Sequence, residues 1–140
     1  MLYLVALFAY LFPTGTPAGK KSALVIDVQN IRQLSCSVQI GLFKPCDDFP
    51  GGCKPVENRI IAVTQKSVQA SFDVEPGRYA VALFHDTNGN GKMDKKAFGI
   101  PKEPYGFSNN FKPRFSGPSF ADCQVTVGEG GKTIQISLIQ

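Results

Sequence analysis

Short runs of alternating apolar and polar residues recur from Ala23 to the end of the chain, and they limit its fold more than any other feature. Alternation with a period of two places the apolar side chains on one face of a strand. Glycine and proline, 14 and 10 of the 140 residues, fall between these runs, where turns are expected. The strands are predicted to begin near Ala23, Cys36, Arg59, Val68, Arg78, Cys123 and Ile134.

The pattern predicts about seven strands, and no stretch has the period of an amphipathic helix. The sequence therefore predicts an all-β domain over residues 22–140. The expected architecture is a two-sheet sandwich, with an extra N-terminal strand and one long organised loop. That loop runs from Asp86 to Phe120 and has no clear strand of its own. A compact domain seldom carries such a loop unless it is functional or locally organised.

Residues 1–12 read MLYLVALFAYLF and are apolar at every position. As a strand, this segment would need burial on both faces, because exposed apolar strands aggregate. Residues 13–21 form a linker with two prolines, so residues 1–21 are predicted to be an arm and linker outside the sandwich. The side chains expected to contact a partner are Leu2, Leu4, Ala6, Phe8, Tyr10 and Phe12.

This arm predicts a non-enzymatic structural subunit that donates its N-terminal strand to the sheet of the next copy. A head-to-tail contact of that kind builds a filament of identical chains. The alternative is a secretory signal over residues 1–17 that is cleaved, although no basic residue precedes the apolar run. The protein would then be a monomeric secreted binding module. The run is shorter than the about 20 residues of a membrane helix, so no membrane span is expected.

Both alternatives place the protein outside the cell or at its surface, and the cysteines agree with that location. Four cysteines in a small β domain fit disulfides in an oxidising compartment. Cys46 and Cys53 are the favoured pair because they would close a short loop, which leaves Cys36 with Cys123. Free thiols are one alternative. A zinc site is another, but the chain has no C-x-x-C pair and one histidine.

Oxygen-bearing side chains recur with calcium-loop spacing where the predicted fifth strand ends. Asp86, Asn88, Asn90 and Asp94 occupy positions 1, 3, 5 and 9 of such a loop, with Gly91 at position 6 and the carbonyl of Lys92 at position 7. Position 12, normally a glutamate, is Ala97, so Glu103, Asp122 or water would have to complete a calcium site. The alternative is a series of Asx turns that holds no metal.

Aromatic and basic residues are mixed in the second half of the long loop. Tyr105, Phe107, Phe111 and Phe115 are expected either to pack as a cluster on one end of the sandwich or to contact a glycan or protein. Base stacking is a further use of such residues, but the disulfide-type cysteines argue against a nucleic-acid partner. The net charge of +4 is also too small to indicate nucleic-acid binding.

The chain carries no recognisable catalytic group. Its one histidine, His85, precedes Asp86 on a strand, so the two side chains start in opposite directions and form a poor acid–base pair. His85 is predicted to be a strand-end residue that is hydrogen-bonded to the loop.

Four blocks of residues carry a family resemblance. They read PGRYAVALFHDTNGNGKMD at 76–94, FGIP at 98–101, YGFSNN at 105–110 and PSF at 118–120. The sequence resembles the bacterial secreted domain-of-unknown-function family 2141 over roughly residues 23–139. The resemblance implies an exported β-sandwich, immunoglobulin-like or transthyretin-like, with no assigned activity.

Overall fold

The computed structural model describes residues 20–96 and 101–140. Within these ranges the chain forms eight strands, one short α-helix and one turn of 3₁₀ helix at Ser108–Asn110. The strands are β1 Ser22–Gln29, β2 Ser37–Phe43, β3 Glu57–Ala62, β4 Val68–Val74, β5 Gly77–Asp86, β6 Tyr105–Phe107, β7 Val125–Val127 and β8 Lys132–Ser137. The helix, α1, is Phe120–Cys123.

The strands form two sheets. The first has the order β4-β1-β8, with β1 antiparallel to β4 and parallel to β8. The second has five strands in the order β3-β2-β5-β6, and β7 pairs with the first part of β5. This arrangement confirms the predicted all-β two-sheet sandwich. The immunoglobulin-like detail stays a prediction.

The main core lies between the two sheets and follows the alternation in the sequence. Leu24, Ile26 and Val28 of β1 are fully buried, as is Phe72 of β4. Val38, Ile40, Leu42 and Val81 are among the buried residues that face them from the second sheet. The two sheets therefore bury one apolar face each, which is what holds a sandwich together.

The second sheet also has an apolar cluster on its outer face. Ala80 of β5 is buried there among aromatic rings from β2, β6, α1 and the loop that contains Phe49. Phe49 lies at the centre of this cluster, with ring-centroid distances of 5.0 Å to Phe43, 6.4 Å to Phe107 and 6.1 Å to Phe120, all edge-to-face. The aromatic cluster expected on one end of the sandwich therefore lies on an outer face.

The prediction that the long loop contains no strand is wrong, because β6 lies within it. Phe107 pairs with Ala82 and Tyr105 pairs with Phe84, while Tyr105 and Ile139 exchange backbone hydrogen bonds of 2.7 and 3.1 Å. A strand of three residues is too short for its alternation to be recognised. Gly106 is needed because a Cβ there would come 2.7 Å from the Cγ2 of Ile136.

Ser108 and Asn110 join the long loop to the strands by hydrogen bonds. Ser108 is fully buried, its Oγ accepts the N–H of Val81 at 2.9 Å, and it donates to the carbonyl of Cys123. The Oδ1 of Asn110 accepts the N–H of Ser137 at 2.8 Å on the edge of β8. The block YGFSNN therefore has a structural role, because its residues join the long loop to β5 and β8.

The strand predicted to begin at Cys123 begins at Val125, because the preceding residues form α1. Ser119 and Asp122 form a capping box at the start of this helix. The Oγ of Ser119 accepts the Asp122 N–H at 3.3 Å, and the Asp122 carboxylate accepts the Ser119 N–H at 2.9 Å. The cap favours one helical turn over continued strand.

The predicted Cys46–Cys53 disulfide is present, and the predicted Cys36–Cys123 disulfide is wrong. Cys36 is exposed just before β2 with a φ of 55°, so it does not share the inward face of Val38. Its thiol contacts the carbonyl of Thr87 at 3.5 Å. Cys123 is buried in the cluster on the outer face of the second sheet. The two thiols therefore lie in different environments and remain free.

Several predictions concern residues outside the described ranges. The arm at residues 1–12, with its six contact residues, is one of them, and Ala97 is another. Within residues 20–96 and 101–140, no helix has both the length and the apolar character needed to cross a membrane.

Candidate binding groove and the adjoining loop

The outer face of the second sheet carries an open apolar groove beside the buried cluster. Its floor is formed by Ala82 and Phe84 of β5 together with Tyr105 and Phe107 of β6. These residues are paired across the ladder, Ala82 with Phe107 and Phe84 with Tyr105. Because Ala82 is the smallest of the four, the floor is lowest where its side chain lies between larger ones.

Three loops form the walls of the groove. The disulfide loop contributes Pro50 and Gly51, and the loop after β5 contributes Met93 and Lys95. The third wall is the segment 113–118, which includes Arg114 and Phe115. The groove has a volume of about 710 Å³, which is within the usual range of about 300–1,000 Å³ for ligand pockets.

The groove is apolar inside and basic at its rim. Lys95 and Arg114 are the charged residues among its described lining, which contains no acidic side chain. Phe115 is fully exposed at the rim, with a relative exposure of 102%. A large exposed ring beside an apolar groove is typical of a contact surface.

The structure separates the four aromatic residues predicted to form a loop surface. Tyr105, Phe107 and Phe115 line the groove together. Phe111 is half-buried against the outer-face cluster and lines a second cavity of about 400 Å³ near the C-terminal residues. Pro50 and Gly51 are groove residues that the sequence did not indicate as a surface, and the spacing of Cys46 and Cys53 was the signal that pointed to their loop.

The loop after β5 curls as its asparagines and glycines predict. The N–H of Gly91 donates to Asp86 Oδ2 at 2.8 Å. The Oδ1 of Asn88 accepts the Asn90 N–H at 3.2 Å, and the Oδ1 of Asn90 accepts the Lys92 N–H at 2.9 Å. These are Asx turns. Gly89 and Gly91 have φ values of 70° and 76°, which glycine adopts without steric cost.

Three of the four predicted side chains, Asn88, Asn90 and Asp94, bond to one another inside this curl. Asp94 accepts hydrogen bonds from the Nδ2 of Asn90, at 3.0 Å to each carboxylate oxygen, and from the Nδ2 of Asn88. Asp86 is buried, with 2% of its surface exposed. No donor in the described parts of the chain lies within hydrogen-bonding distance of its Oδ1.

Glu103 closes the loop, whereas Asp122 does not contribute to it. Glu103 Oε2 accepts the Thr87 N–H at 2.7 Å, and its Oε1 accepts the Asp94 N–H at 3.1 Å. Its carboxylate therefore joins the two ends of the loop, and it is 5% exposed. Asp122, the other side chain predicted to complete the site, belongs to the capping box of α1.

Within the described residues, no group of three or more His, Cys, Asp and Glu side chains is arranged as a metal site. Asp86, Asp94 and Glu103 therefore do not form a preassembled site of three carboxylates, and the other side-chain oxygens of this loop belong to asparagines.

His85 lies on the opposite face of β5 from this loop. It is buried, and its Nε2 is 2.7 Å from the carbonyl of Ser35 in the loop before β2. His85 is therefore a hydrogen-bonded residue at the end of a strand, as predicted. Its partner lies in the loop before β2, whereas the prediction placed the partner in the long loop after β5. His85 and Asp86 face opposite sides of the sheet, as their adjacent positions predict.

The fold and the groove define a class of protein: a two-sheet β-sandwich with a loop-walled apolar groove on the outer face of one sheet. The family model described as "Uncharacterized protein conserved in bacteria (DUF2141)" matches residues 26–135. The chain therefore belongs to that family, as the sequence resemblance indicated. Searches of curated proteins and of solved structures returned no significant match.

Proposed function

We propose that this protein is a non-enzymatic exported subunit that assembles head to tail, with residues 1–12 of one copy docked in the groove of the next. The observation that carries the proposal is the apolar groove with its three loop walls. The chain itself supplies an apolar segment of matching character in residues 1–12. Burial of apolar surface stabilises such a contact by about 25 cal/mol per Å².

The groove is a better acceptor for this segment than the open sheet edge. β3 ends the second sheet and has Ile60 on its outer face, 67% exposed. Its inward-facing residue Arg59 lies 4.6 Å from the centroid of the Phe72 ring and pairs with Glu57 at 3.1 Å. Inward-pointing charges on an edge strand oppose the addition of another strand. An apolar segment is therefore favoured on the face of the sheet, in the groove.

The linker has the reach that the contact needs. Residues 13–21 separate the apolar segment from β1, which begins at Ser22. Fully extended, this linker spans roughly 30 Å. That length allows the segment to leave its own domain and contact a neighbouring one.

A monomeric secreted binding module is the second candidate, and the rim of the groove favours it. Phe115 is fully exposed beside Arg114, and Tyr105 lines the same groove. Exposed aromatic rings of this kind stack on sugar rings, so a glycan is the expected ligand. In this case residues 1–17 are a secretory signal that is removed.

Light scattering and electron microscopy of the full chain test the two candidates. Wild type is expected to form assemblies, whereas Phe8→Asp in the segment and Ala82→Glu in the groove each yield monomers. Leu34→Glu is the matched control, because Leu34 is 53% exposed and does not line the groove. Phe115→Ser tests the rim without changing a buried position. Circular dichroism confirms that each variant folds.

A wild-type chain that is monomeric at every concentration would contradict the assembly. Assemblies that survive both Phe8→Asp and Ala82→Glu would also contradict it. If the monomer binds oligosaccharides and Phe115→Ser abolishes that binding, the second candidate is supported instead.

A further inference from the structure

We infer that the loop from Asp86 to Asp94, together with Glu103, is a binding site for a hard divalent cation, with calcium as the preferred ion. The spacing of its oxygen ligands indicated this chemistry, and the structure adds two independent observations. The first is the burial of two carboxylates without a cationic partner. The second is the unpartnered oxygen of Asp86 inside the loop.

The burial argument concerns Asp86 and Glu103, which are 2% and 5% exposed. Buried carboxylates normally pair with a cation or coordinate a metal, since removing a charge from water is costly. In the described parts of the chain, the ion pair between Arg59 and Glu57 is the one salt bridge. Four lysines, Lys92, Lys95, Lys96 and Lys102, lie in the same stretch, and none comes within 4.0 Å of these carboxylates.

The second argument concerns the direction of the Asp86 carboxylate. Its Oδ2 accepts the N–H of Gly91 in the middle of the curl, so the carboxylate lies inside the loop. Its Oδ1 is buried and has no partner among the described residues. A buried acceptor without a donor is costly, and a bound cation would satisfy it.

The asparagines supply neutral oxygens for the same centre. The side-chain NH₂ groups of Asn88 and Asn90 both donate to Asp94. The Oδ1 atoms of Asn88 and Asn90 each accept one backbone N–H, and an amide oxygen has a second lone pair that a cation can use. Coordination of a cation by Asp94 would replace the hydrogen bonds that it accepts from the two NH₂ groups.

The ligand set selects the ion. The available donors are carboxylate, amide and backbone oxygens, which hard cations prefer to nitrogen or sulfur. Calcium accepts six to eight oxygens in flexible geometry, whereas magnesium requires a nearly ideal octahedron. Both carboxylate oxygens of Glu103 accept backbone N–H groups, so Glu103 holds the loop closed and adds negative charge beside the cation. The nearby lysines weaken the attraction, so micromolar to millimolar affinity is expected.

A cation here would also fix one wall of the groove. Met93 and Lys95 line the groove and belong to this loop or follow it directly. The N–H of Lys102 donates to the carbonyl of Asp94 at 2.7 Å. This hydrogen bond ties the chain at Lys102 to the end of the cation-binding loop. This consequence rests on the proposed function, but binding of the cation does not.

Thermal unfolding of the full chain, in calcium and in EDTA, tests the site without reference to the groove. We expect the midpoint to rise by roughly 5 °C when calcium is in tenfold excess over its Kd. Asp86→Asn and Glu103→Gln keep the side-chain shape and should abolish this rise. Asp73→Asn removes an exposed carboxylate from β4 and should leave the rise unchanged.

Calorimetric titration provides the second measurement, with one calcium bound per chain expected in wild type and none in Asp86→Asn. Asp94→Asn, at the less buried end of the loop, repeats the test if Asp86→Asn fails to fold. Identical melting curves in calcium and EDTA would overturn the inference. So would a full calcium response in both Asp86→Asn and Glu103→Gln. A chain that binds calcium and remains monomeric would contradict the proposed assembly alone.

Discussion

Phe84 and Tyr105 lie directly opposite each other in the β5–β6 ladder, and both side chains line the groove. This pair joins the most central strand of the second sheet to a three-residue strand from the long loop. The floor of the groove is thus made of regular strand, while its walls are made of loops. Such a division gives the groove a rigid floor with adaptable edges.

The core between the sheets should carry most of the stability. Phe72 is fully buried on β4, so Phe72→Ala is expected to lower the free energy of unfolding by about 3–5 kcal/mol. Ile60→Ala is the comparison, because Ile60 is 67% exposed and its loss should cost no more than about 0.5 kcal/mol. Urea denaturation measures both. Equal costs at the two positions would contradict the assignment of the core.

The disulfide should stabilise the protein through the short loop that it closes. Cys46 and Cys53 are separated by seven positions, and a loop of that size implies about 2.5 kcal/mol from chain entropy. Cys46→Ser with Cys53→Ser should lower the free energy of unfolding by about that amount and loosen Phe49 in the outer-face cluster. Urea denaturation measures the cost, and near-ultraviolet circular dichroism reports the aromatic packing. A double variant as stable as wild type would show that the bridge is dispensable.

The two free thiols should differ sharply in reactivity. Cys36 is exposed, whereas Cys123 is buried and its pKa is raised to about 12 by burial and by the charge of Asp122. Since the thiolate is the reactive form, a thiol reagent at pH 8 should label Cys36 and leave Cys123 unmodified until the protein unfolds. Peptide mass spectrometry identifies the labelled residue. A native protein with no reactive thiol would indicate that the two cysteines form a disulfide after all.

Alkaline pH should destabilise the fold through Cys123. Its folded-state pKa, about 12, lies above the ordinary thiol value of 9.0, so the folded state holds its proton more tightly than the unfolded state does. The stability is therefore complete below about pH 9 and declines as the pH rises towards 12. Burial raises the pKa of Tyr79 as well, and the charges of Glu75 and Glu57 add to it.

Unfolding midpoints in urea between pH 8 and pH 11 measure this effect. Cys123→Ala should flatten the pH dependence, and Tyr79→Phe should remove the part that comes from the tyrosine. A slope that is the same in Cys123→Ala and in wild type would contradict the role of the thiol.

The sequence predicted the two sheets because the inward residues of β1, β2, β4 and β5 alternate without interruption. Leu24, Ile26 and Val28 show this clearly, since each is fully buried as its position requires. Period-two alternation is a local property, so it can be recognised in the sequence without knowing which strand pairs with which. β6 was missed because its three residues are held by their neighbours, Phe84 and Ile139, and the pattern in the sequence is too short to show this.

The cysteine pairing and the groove depended on positions that alternation does not determine. The alternation of β2 predicts that Cys36 faces inward with Val38. Its left-handed backbone conformation instead turns its side chain out of the strand. The groove results from three loops that are distant in sequence, including Gly51 and Phe115. By contrast, the curl of the loop at Asp86 was predictable, because Asx turns and glycine conformations are set by adjacent residues.

Photo-crosslinking from Phe115 tests the central claim most directly. The side chain is fully exposed at the rim of the groove, so a photoreactive phenylalanine analogue at this position should not disturb the fold. Mixing isotopically labelled and unlabelled copies before irradiation distinguishes contacts between molecules from contacts within one. We predict crosslinked peptides that join position 115 of one copy to residues 1–12 of another. Crosslinks confined to single molecules, or none to residues 1–12, would contradict the assembly.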